Sequence, residues 1–470
     1  MLKGQMYFLA SDYLAGRRTG SLGNEIVAEY IAAQLEAFGY VPINGESYFQ
    51  DIPLEVVSAP TTVELSLNGT TFNNKEDVLV LRGGSATLAA EVVFVGYGWV
   101  DQAKGQDDYQ GLDVKGKIVI TLPGLPDDQG QRAIFQGISA KAELAAARGA
   151  IAQFELYRLP FPWSAFVGFM GNERMSLKSS EAKKGQPYPL RFYQKQKEGF
   201  LAALRAAKKP KGTLQSSGMK VNSFNSRNVG GVLRGSDPTL AEEYLLLSAH
   251  FDHVGVGAQG GGAFTATDSI FNGARDNAFG TISLLSAAKC FAEQLPRRSI
   301  IVLAVTGEEV GLLGSEYYAS HPLLPLEKTV YNFNTDGAGY NDTTAIAIIG
   351  MGRTGVDAEI EKGAAAVGLR VVANPVPEQG LFDRSDNVSF AARGVPALTF
   401  SPGFEEFDDT MLKYYHQVTD NPNSINYSYL WQYCRSFTYI ARLIANKTER
   451  PTWVEGDKYQ AAGRKLYGGN

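Results

Sequence analysis

The chain has 470 residues and a net charge of −5, from 44 Lys and Arg residues against 49 Asp and Glu residues. Hydrophobic residues make up 44% of it and charged residues 20%, which is typical of an ordered globular protein and excludes a disordered or fibrous one. The mild acidity and the lack of a dense basic run argue against nucleic acid as the main partner. At about 100 to 200 residues per domain, this length predicts two or three compact units.

The sequence also excludes several kinds of site and location. Its two cysteines, Cys290 and Cys434, are too few for a disulfide framework or a cysteine-based metal site, and their apolar helical surroundings predict buried free thiols. No window approaches the roughly 18 consecutive apolar residues of a membrane span, so we expect no integral membrane association. The first residues, MLKGQMYFLASDYLAGRR, lack the regions of a signal peptide. Nothing in the sequence indicates an oligomeric state.

The first predicted element is an amphipathic helix over residues 26–38, where apolar residues recur at helical spacing before Gly39. From about Thr62, short β-rich runs follow, namely VELSL, DVLVL, AEVVFVGYGWV and GKIVITLPG, separated by turn residues. The segments KKGQ, QKQK and KKPKGT are typical of surface and linker material that leads out of this β-rich unit. The predicted domain bounds are 1–78 for the N-terminal part of the main domain, 79–215 for a β-rich insert and 216–470 for the rest of the main domain.

Strand-like and helix-like segments alternate in the last part of the chain. Strands are predicted at 244–250, at 299–307, and in TVYNFNTD and TAIAIIG, and helices at 281–295, 311–320 and 424–446. This alternation favours an α/β fold with a mixed central sheet flanked by helices. In such sheets the functional residues collect just beyond the carboxyl ends of the strands.

Three of these apolar strands end in residues of the types that bind metal ions. LLLSA leads into His250 and Asp252, IIVLAVTG into Glu308 and Glu309, and VYNFNT into Asp336. Alone, each such residue is usually a solvated turn, a helix cap or an ordinary buried side chain. Together, at positions that an α/β fold gathers at one sheet edge, they indicate a metal site.

Two further residues extend this set. Asp276 lies in GARDNAFG, in a glycine-bounded turn before a helix, and His416 lies in the loop segment YYHQVTD. Zinc accepts imidazole and carboxylate ligands, whereas a magnesium-only site seldom recruits two imidazoles. His250, Asp276, Glu309, Asp336 and His416 are too many for one tetrahedral zinc with an open position. They predict two Zn²⁺ per chain with one bridging carboxylate, and other divalent transition metals are possible.

The chemistry of such a pair assigns the remaining acids. Two ions about 3.5 to 4 Å apart can hold a water of lowered pKa as nucleophile and polarise a carbonyl oxygen. Asp252, two residues after His250, can accept the other imidazole N–H and fix its tautomer. Glu308 lies beside the ligand Glu309 and remains free for proton transfer, so it is the candidate general base.

Five segments, in order HFDHVGVG, FNGARDNAFG, TGEEVGLLGSEYY, NTDGAGY and YYHQVTD, resemble the dizinc exopeptidase family of secreted bacterial leucine-type aminopeptidases. Relatives of that family include glutamate carboxypeptidases and glutaminyl cyclases. The resemblance covers residues 248–420. It implies that His250 and Asp336 bind one zinc, that Glu309 and His416 bind the other, and that Asp276 bridges them.

The same resemblance implies two catalytic roles and an activity. Glu308 corresponds to the family's general base, and Tyr415 to a tyrosine that helps to stabilise the tetrahedral oxyanion in some members. The implied activity is that of an aminopeptidase, in which a zinc-bound hydroxide attacks the first peptide bond of a peptide with a free N-terminus. The implied location is periplasmic or secreted. The β-rich insert is similar, mainly in topology, to the protease-associated domain found in many of these peptidases.

Two alternatives stay open on the sequence alone. A carboxypeptidase or glutaminyl cyclase could use the same metal site, and a non-catalytic receptor-like relative could keep the fold without turnover. The presence of all the presumed ligands and of Glu308 argues against the second. Of the other two histidines, we expect His253 near the site without binding metal and His321 at the surface.

Overall fold

The computed structural model describes residues 1–128, 131–158, 162–178, 190–195 and 197–468. The chain forms two compact units. The first unit, Met1–Leu54 with Phe224–Asn470, corresponds to the predicted main domain. The second unit, Glu55–Ser223, encloses the predicted insert and is wider than it at both ends.

The strands occur in both units. They are β1 (Val41–Pro42), β2 (Phe49–Ser58), β3 (Val63–Leu67), β4 (Thr70–Asn73), β5 (Val78–Arg82), β6 (Ala86–Phe94), β7 (Val100–Asp101), β8 (Gln106–Asp107), β9 (Ile118–Thr121), β10 (Ala152–Leu156), β11 (Arg174–Leu177), β12 (Leu190–Gln194), β13 (Lys211–Ser216), β14 (Lys220–Leu233), β15 (Tyr244–His250), β16 (Gly255–Val256), β17 (Ile270–Phe271), β18 (Ser299–Val305), β19 (Thr329–Thr335), β20 (Ala345–Ile349), β21 (Arg370–Ala373) and β22 (Ala397–Pro402).

The α-helices are α1 (Leu2–Leu9), α2 (Leu22–Ala37), α3 (Gln131–Ala147), α4 (Trp163–Met170), α5 (Phe200–Ala206), α6 (Phe279–Glu293), α7 (Leu313–Ser320), α8 (Asp357–Ala365), α9 (Asn387–Ala392), α10 (Asp409–Leu412), α11 (Tyr427–Asn446) and α12 (Gln460–Tyr467). Within the described part of the chain, no helix combines the length and the apolar character needed to cross a membrane.

The central sheet of the first unit contains strands in the order β2-β14-β18-β15-β19-β22-β20-β21. Strand β15 runs parallel to both β18 and β19, and β19 runs parallel to β22. By contrast, β14 is antiparallel to β18, and β20 is antiparallel to β22. The predicted mixed sheet of an α/β fold is therefore confirmed.

Helices cover both faces of this sheet, which explains why its central strands are continuous apolar runs. Successive residues of β15 point to opposite faces. Leu245 and Leu247 pack in a core with residues of α2, α6 and α11, whereas Leu246 packs in a separate core with residues of α7 and α9. With both faces buried, only the strand ends are free to carry polar side chains toward a site.

Capping side chains set the ends of two helices that periodicity places only approximately. The predicted helix over 26–38 begins earlier, at Leu22, because the Ser21 side chain accepts the N–H of Asn24. The last long helix begins at Tyr427, after the predicted 424, because the Asn426 side chain accepts two main-chain N–H groups of its first turn.

The second unit has its own sheet, in the order β4-β3-β13-β6-β9-β10-β12-β5, and its own apolar core. It begins before the predicted residue 79 because β3 pairs with β13, with Leu67 opposite Gly212. The same pairing places residues 211–213, the second half of KKPKGT, in a strand, so the prediction of a linker is wrong for that half. The segment KKGQ lies outside the described residues, as does one residue of QKQK.

Both cysteines are free thiols. Cys434 is buried in α11, and burial raises the pKa of its thiol to about 11. Cys290 is exposed, so the prediction of burial is wrong for this residue. Helical periodicity places a residue on a face of its helix, but the packing of α6 against α11 decides how far that face is covered.

Candidate metal centre

The carboxyl ends of β15, β18 and β19 lie side by side. His250 is the last residue of β15 and is paired in register with Val305, the last residue of β18. Asp336 follows β19 directly. The His250 Nε2 atom is 3.1 Å from the Asp336 Oδ1 atom, so the first and third strand ends meet as the sequence predicts.

Asp276 lies between two histidines. It comes from the turn before α6, and its Oδ1 atom is 3.4 Å from His250 Nε2 while its Oδ2 atom is 3.2 Å from His416 Nε2. The turn is held in place by Asp420, whose carboxylate accepts the main-chain N–H of Arg275 at 3.0 Å and that of Asp276 at 3.3 Å. One carboxylate therefore offers one oxygen to each imidazole, which is the arrangement that a bridging ligand needs.

Glu309 also lies between two histidines. Its Oε2 atom is 3.0 Å from His416 Nε2, and its Oε1 atom is 2.7 Å from His253 Nδ1. His416 has a φ of 51°, a left-handed conformation that is uncommon outside glycine and is often found at functional sites. The loop that carries His416 is thus bent so that its ring reaches both Asp276 and Glu309.

The donor atoms form two groups that share one residue. His253, Asp276, Glu309 and His416 make up one group, and His250, Asp276 and Asp336 make up the other, with all ligand atoms of each group within 4.8 Å of one another. These nitrogen and oxygen donors suit zinc. The structure brings all five predicted ligands together and places His253 beside them, near the site as the sequence predicts.

Burial and charge act in opposite directions on the ionisable groups of this centre. Burial disfavours a charged imidazole, yet the carboxylates of Glu309 and Asp276 raise the pKa of His416 to about 10. At His250, the charges of Asp336 and Glu308 likewise outweigh burial and raise the pKa well above its usual value. Acidic groups therefore dominate the field of the centre, and the same field attracts metal cations.

A cavity of about 90 Å³ opens onto these donors. Four acids, Asp276, Glu308, Glu309 and Asp336, form its acidic end, and Tyr415 also lines it. The other walls are largely apolar and include Ile349, Leu381, Phe404, Phe407 and Met411. Glu308 thus lines the cavity and lies in neither donor group.

Asp252 contacts both His250 and the turn that carries the two glutamates. Its carboxylate accepts the hydroxyl of Thr19 at 2.9 Å and the main-chain N–H groups of Glu308 at 3.3 Å and Glu309 at 3.4 Å. The His250 Nδ1 atom is 3.3 Å from the Asp252 main-chain oxygen and 3.7 Å from the carboxylate. Asp252 therefore lies next to His250 Nδ1 with both its main-chain oxygen and its carboxylate, and the same carboxylate holds the turn of the two glutamates.

Sequence reasoning missed three buried polar residues that support the centre. The Ser385 hydroxyl donates to the Asp336 Oδ2 atom at 2.6 Å, and the Arg17 guanidinium donates to the main-chain oxygen of Phe251 at 2.8 Å. The third is Asp420, which supports the Asp276 turn. The position of Asp420, four residues after His416, could have indicated that it lies near the centre. The segment AGRR around Arg17 gives no such indication, because it looks like an ordinary surface stretch.

The sequence profile of Peptidase family M28 matches residues 228–441. This segment contains the five predicted ligands together with Asp252, Glu308 and Tyr415. The chain carries a peptidase family M28 domain. The resemblance to the dizinc exopeptidases is thereby confirmed at the level of the family.

Curated relatives match parts of this chain. The vacuolar membrane protease of Saccharomyces cerevisiae (strain YJM789) is 38% identical over 120 residues, which are 26% of this chain and 11% of that protein. The vacuolar membrane protease of Lachancea thermotolerans is 27% identical over 235 residues, or 49% of this chain and 21% of that protein. The chain therefore spans only a minor part of these curated relatives.

The fold itself is shared with a solved bacterial enzyme. The structure of the aminopeptidase from Aneurinibacillus sp. strain AM-1 superposes with a TM-score of 0.58 and 20% identity. The superposition covers 97% of this chain and 96% of that one. It therefore includes the insert as well as the M28 domain, and it agrees with the mixed α/β architecture.

Proposed function

We propose that this protein is a metal-dependent aminopeptidase that removes the N-terminal residue of peptides, with two Zn²⁺ as its ions. The observation that carries the proposal is the position of Asp276. Its two carboxylate oxygens face His250 and His416, which belong to separate donor groups. A single carboxylate shared by two sets of ligands is the mark of a two-ion site.

The residues present fit two ions. His250 and Asp336 would hold one, Glu309 and His416 the other, and Asp276 both. Zinc bound there would lower the pKa of a water and polarise the carbonyl oxygen of the substrate.

The side chains around the cavity supply the remaining steps. Glu308 would accept the proton of the attacking water and deliver it to the leaving amine, because it faces the cavity beside the ligand Glu309. Tyr415 would donate its hydroxyl to the oxyanion that develops on the substrate carbonyl. The ammonium group of a free N-terminus would be attracted by the carboxylates of Glu308 and Asp336 at the acidic end.

Two further proposals concern the rest of the protein. The second unit would be a protease-associated domain that restricts which peptides reach the site, and its independent sheet and core support the role of a separate module. The resemblance to secreted aminopeptidases supports a periplasmic or secreted location.

A substrate panel with metal quantification tests this function. We expect hydrolysis of aminoacyl-nitroanilides and short peptides with a free amine, no hydrolysis of their N-acetylated forms, loss of activity with a chelator and recovery with Zn²⁺. Two ions per chain should accompany full activity. Release of C-terminal residues from N-acetylated peptides would favour the carboxypeptidase alternative, and cyclisation of N-terminal glutamine would favour the cyclase. Binding of two ions without any turnover would favour the receptor-like alternative.

A further inference from the structure

His253 is a buried histidine whose contact with a carboxylate of the centre is shorter than those of His250 and His416. Its Nδ1 atom is 2.7 Å from Glu309 Oε1. The Nε2 atoms of the other two histidines lie farther from the carboxylate oxygens of the predicted ligands, at 3.1 and 3.4 Å for His250 and 3.2 and 3.0 Å for His416.

The shortness of the His253 contact argues against coordination of one ion by both His253 and Glu309. Two donors that each lie about 2.0 to 2.2 Å from one tetrahedral zinc are about 3.3 to 3.6 Å apart. The contacts of His250 and His416 come close to that spacing. A separation of 2.7 Å leaves too little room for a common ion and is the length of a hydrogen bond from nitrogen to a charged oxygen.

The surroundings of the His253 ring agree with a hydrogen bond from Nδ1–H. A lone pair on Nδ1 would repel the carboxylate, so the proton belongs on this nitrogen. The Nε2 atom is buried and has no hydrogen-bond partner among the described residues, which suits the nitrogen that carries no proton. The ring lies edge-on to that of His416, with centroids 5.5 Å apart, and Gly273 approaches it so closely that a Cβ there would lie 2.5 Å from His253 Cγ.

We propose that His253 is a positioning residue that fixes Glu309 by donating Nδ1–H to Oε1, which leaves Oε2 as the oxygen presented to the ion shared with His416. A free carboxylate can bind an ion through either oxygen or through both. Holding one oxygen in a hydrogen bond removes this ambiguity and orders the ligand before the ion arrives. The inference rests on the proposed two-ion centre and assigns to His253 a role outside the ligand set.

The test compares His253→Ala with His253→Asn by titrating the metal-free protein with Zn²⁺ against a chromogenic chelator, and with Co²⁺ by visible absorption. The amide nitrogen of Asn takes the place of Nδ1 and keeps the donor. We expect His253→Ala to weaken one ion by about 10- to 100-fold and to leave the other within about twofold of wild type. His253→Asn should recover most of the lost affinity, and the exposed His321→Ala should match wild type.

Each other outcome has a distinct meaning. Wild-type affinity for both ions in His253→Ala would overturn the inference. So would loss of one ion in His253→Asn as complete as in His416→Ala, because His253 would then be a ligand itself. If the unsubstituted protein binds fewer than two ions, it is the proposed two-ion function that fails.

Discussion

At the scale of single residues, the adjacent acids Glu308 and Glu309 have side-chain pKa values that are shifted in opposite directions. Burial raises the pKa of both carboxyl groups, but His416 and His253 lower that of Glu309 well below its usual value. At Glu308, burial and the charges of Asp336 and Glu309 outweigh His250, and the pKa lies well above its usual value. Paired carboxyl groups whose pKa values are driven apart in this way can take different roles. This agrees with the proposal that Glu309 is a ligand and Glu308 the general base.

The first prediction concerns Glu308. Glu308→Gln keeps the shape of the side chain but cannot accept a proton, so kcat should fall by about 10² to 10⁴-fold with both ions still bound. Steady-state kinetics and metal quantification on the same preparation measure the two effects. The matched control is Glu309→Gln, which should lose metal as well as activity. Near-wild-type turnover in Glu308→Gln would contradict its role as the base.

The second prediction concerns the bridge. In Asp276→Asn, one of the two oxygens that face His250 and His416 becomes an amide NH₂, which cannot bind an ion. We expect fewer than two ions per chain at metal concentrations that saturate the wild type, measured by atomic emission after dialysis. Asp268→Asn, at an exposed acid nearby, should change nothing. Two ions at full occupancy in Asp276→Asn would contradict the bridging role.

The site residues that can be predicted from the sequence are those that stand in a recognisable sequence pattern. His250 and Asp336 follow buried strands, and strand ends of an α/β sheet meet at one edge. The sequence also predicts His253 near the site, but no pattern tells what it does there. Whether a histidine binds an ion or donates to Glu309 depends on a few tenths of an ångström, which are set by the packing of Gly273 and His416 around its ring.

At the scale of secondary structure elements, the sequence predicts an element where neighbouring residues alone determine it. The apolar run of β15 is a strand over the predicted residues 244–250, because both of its faces are buried. The segment KKPKGT looks like a linker from its charge and its proline, yet its second half, residues 211–213, belongs to β13, which pairs with β3 and β6. Pairing between segments this far apart in the chain leaves no local signal.

The third prediction concerns the link between α11 and β18. Arg298 is fully buried, donates to Glu243 Oε2 at 2.8 Å and also donates to the main-chain oxygens of Lys447 and Thr448 just after α11. Arg298→Ala should lower the free energy of unfolding by about 3 to 5 kcal/mol, because it leaves these acceptors without their partner. Urea denaturation measures the change. The exposed pair of Arg234 with Glu242 gives the control, since Arg234→Ala should cost about 1 kcal/mol or less.

The fourth prediction uses the pKa of Glu243. Burial raises it, but hydrogen bonds from Arg298 and Arg450 outweigh burial and lower it below 4.5. A carboxyl group whose pKa is lower in the folded state than in the unfolded state stabilises the folded protein at pH values above its unfolded-state pKa. This stabilisation is lost as the pH falls through its folded-state pKa. As the pH is lowered from 6 toward the pH at which the protein unfolds in acid, Tm should fall less steeply in Glu243→Gln than in wild type or in the exposed control Glu46→Gln. Equal slopes would contradict the assignment.

At the scale of the whole molecule, every candidate functional residue lies in the first unit. The second unit leaves that fold at Leu54, in β2, and rejoins it at Phe224, in β14. These strands are neighbours in the central sheet, where the Gly230 N–H donates to the Tyr48 main-chain oxygen at 2.7 Å. The second unit is thus an insertion between adjacent strands, a position at which whole domains are tolerated.

The fifth prediction follows from this insertion. A chain in which residues 55–223 are replaced by a short Gly-Ser turn should still bind two ions and hydrolyse small aminoacyl-nitroanilides, because the metal centre and its core come from the first unit. Loss of both ions with helical circular dichroism retained would contradict the independence of the centre. The full-length protein is the control in both of these measurements.

The same deletion also tests whether the insert restricts substrates. If it does, its removal should raise kcat/KM for long peptides more than for dipeptides, because only long peptides extend beyond the cavity. An unchanged ratio between the two substrate classes would contradict that role and leave the metal centre unaffected.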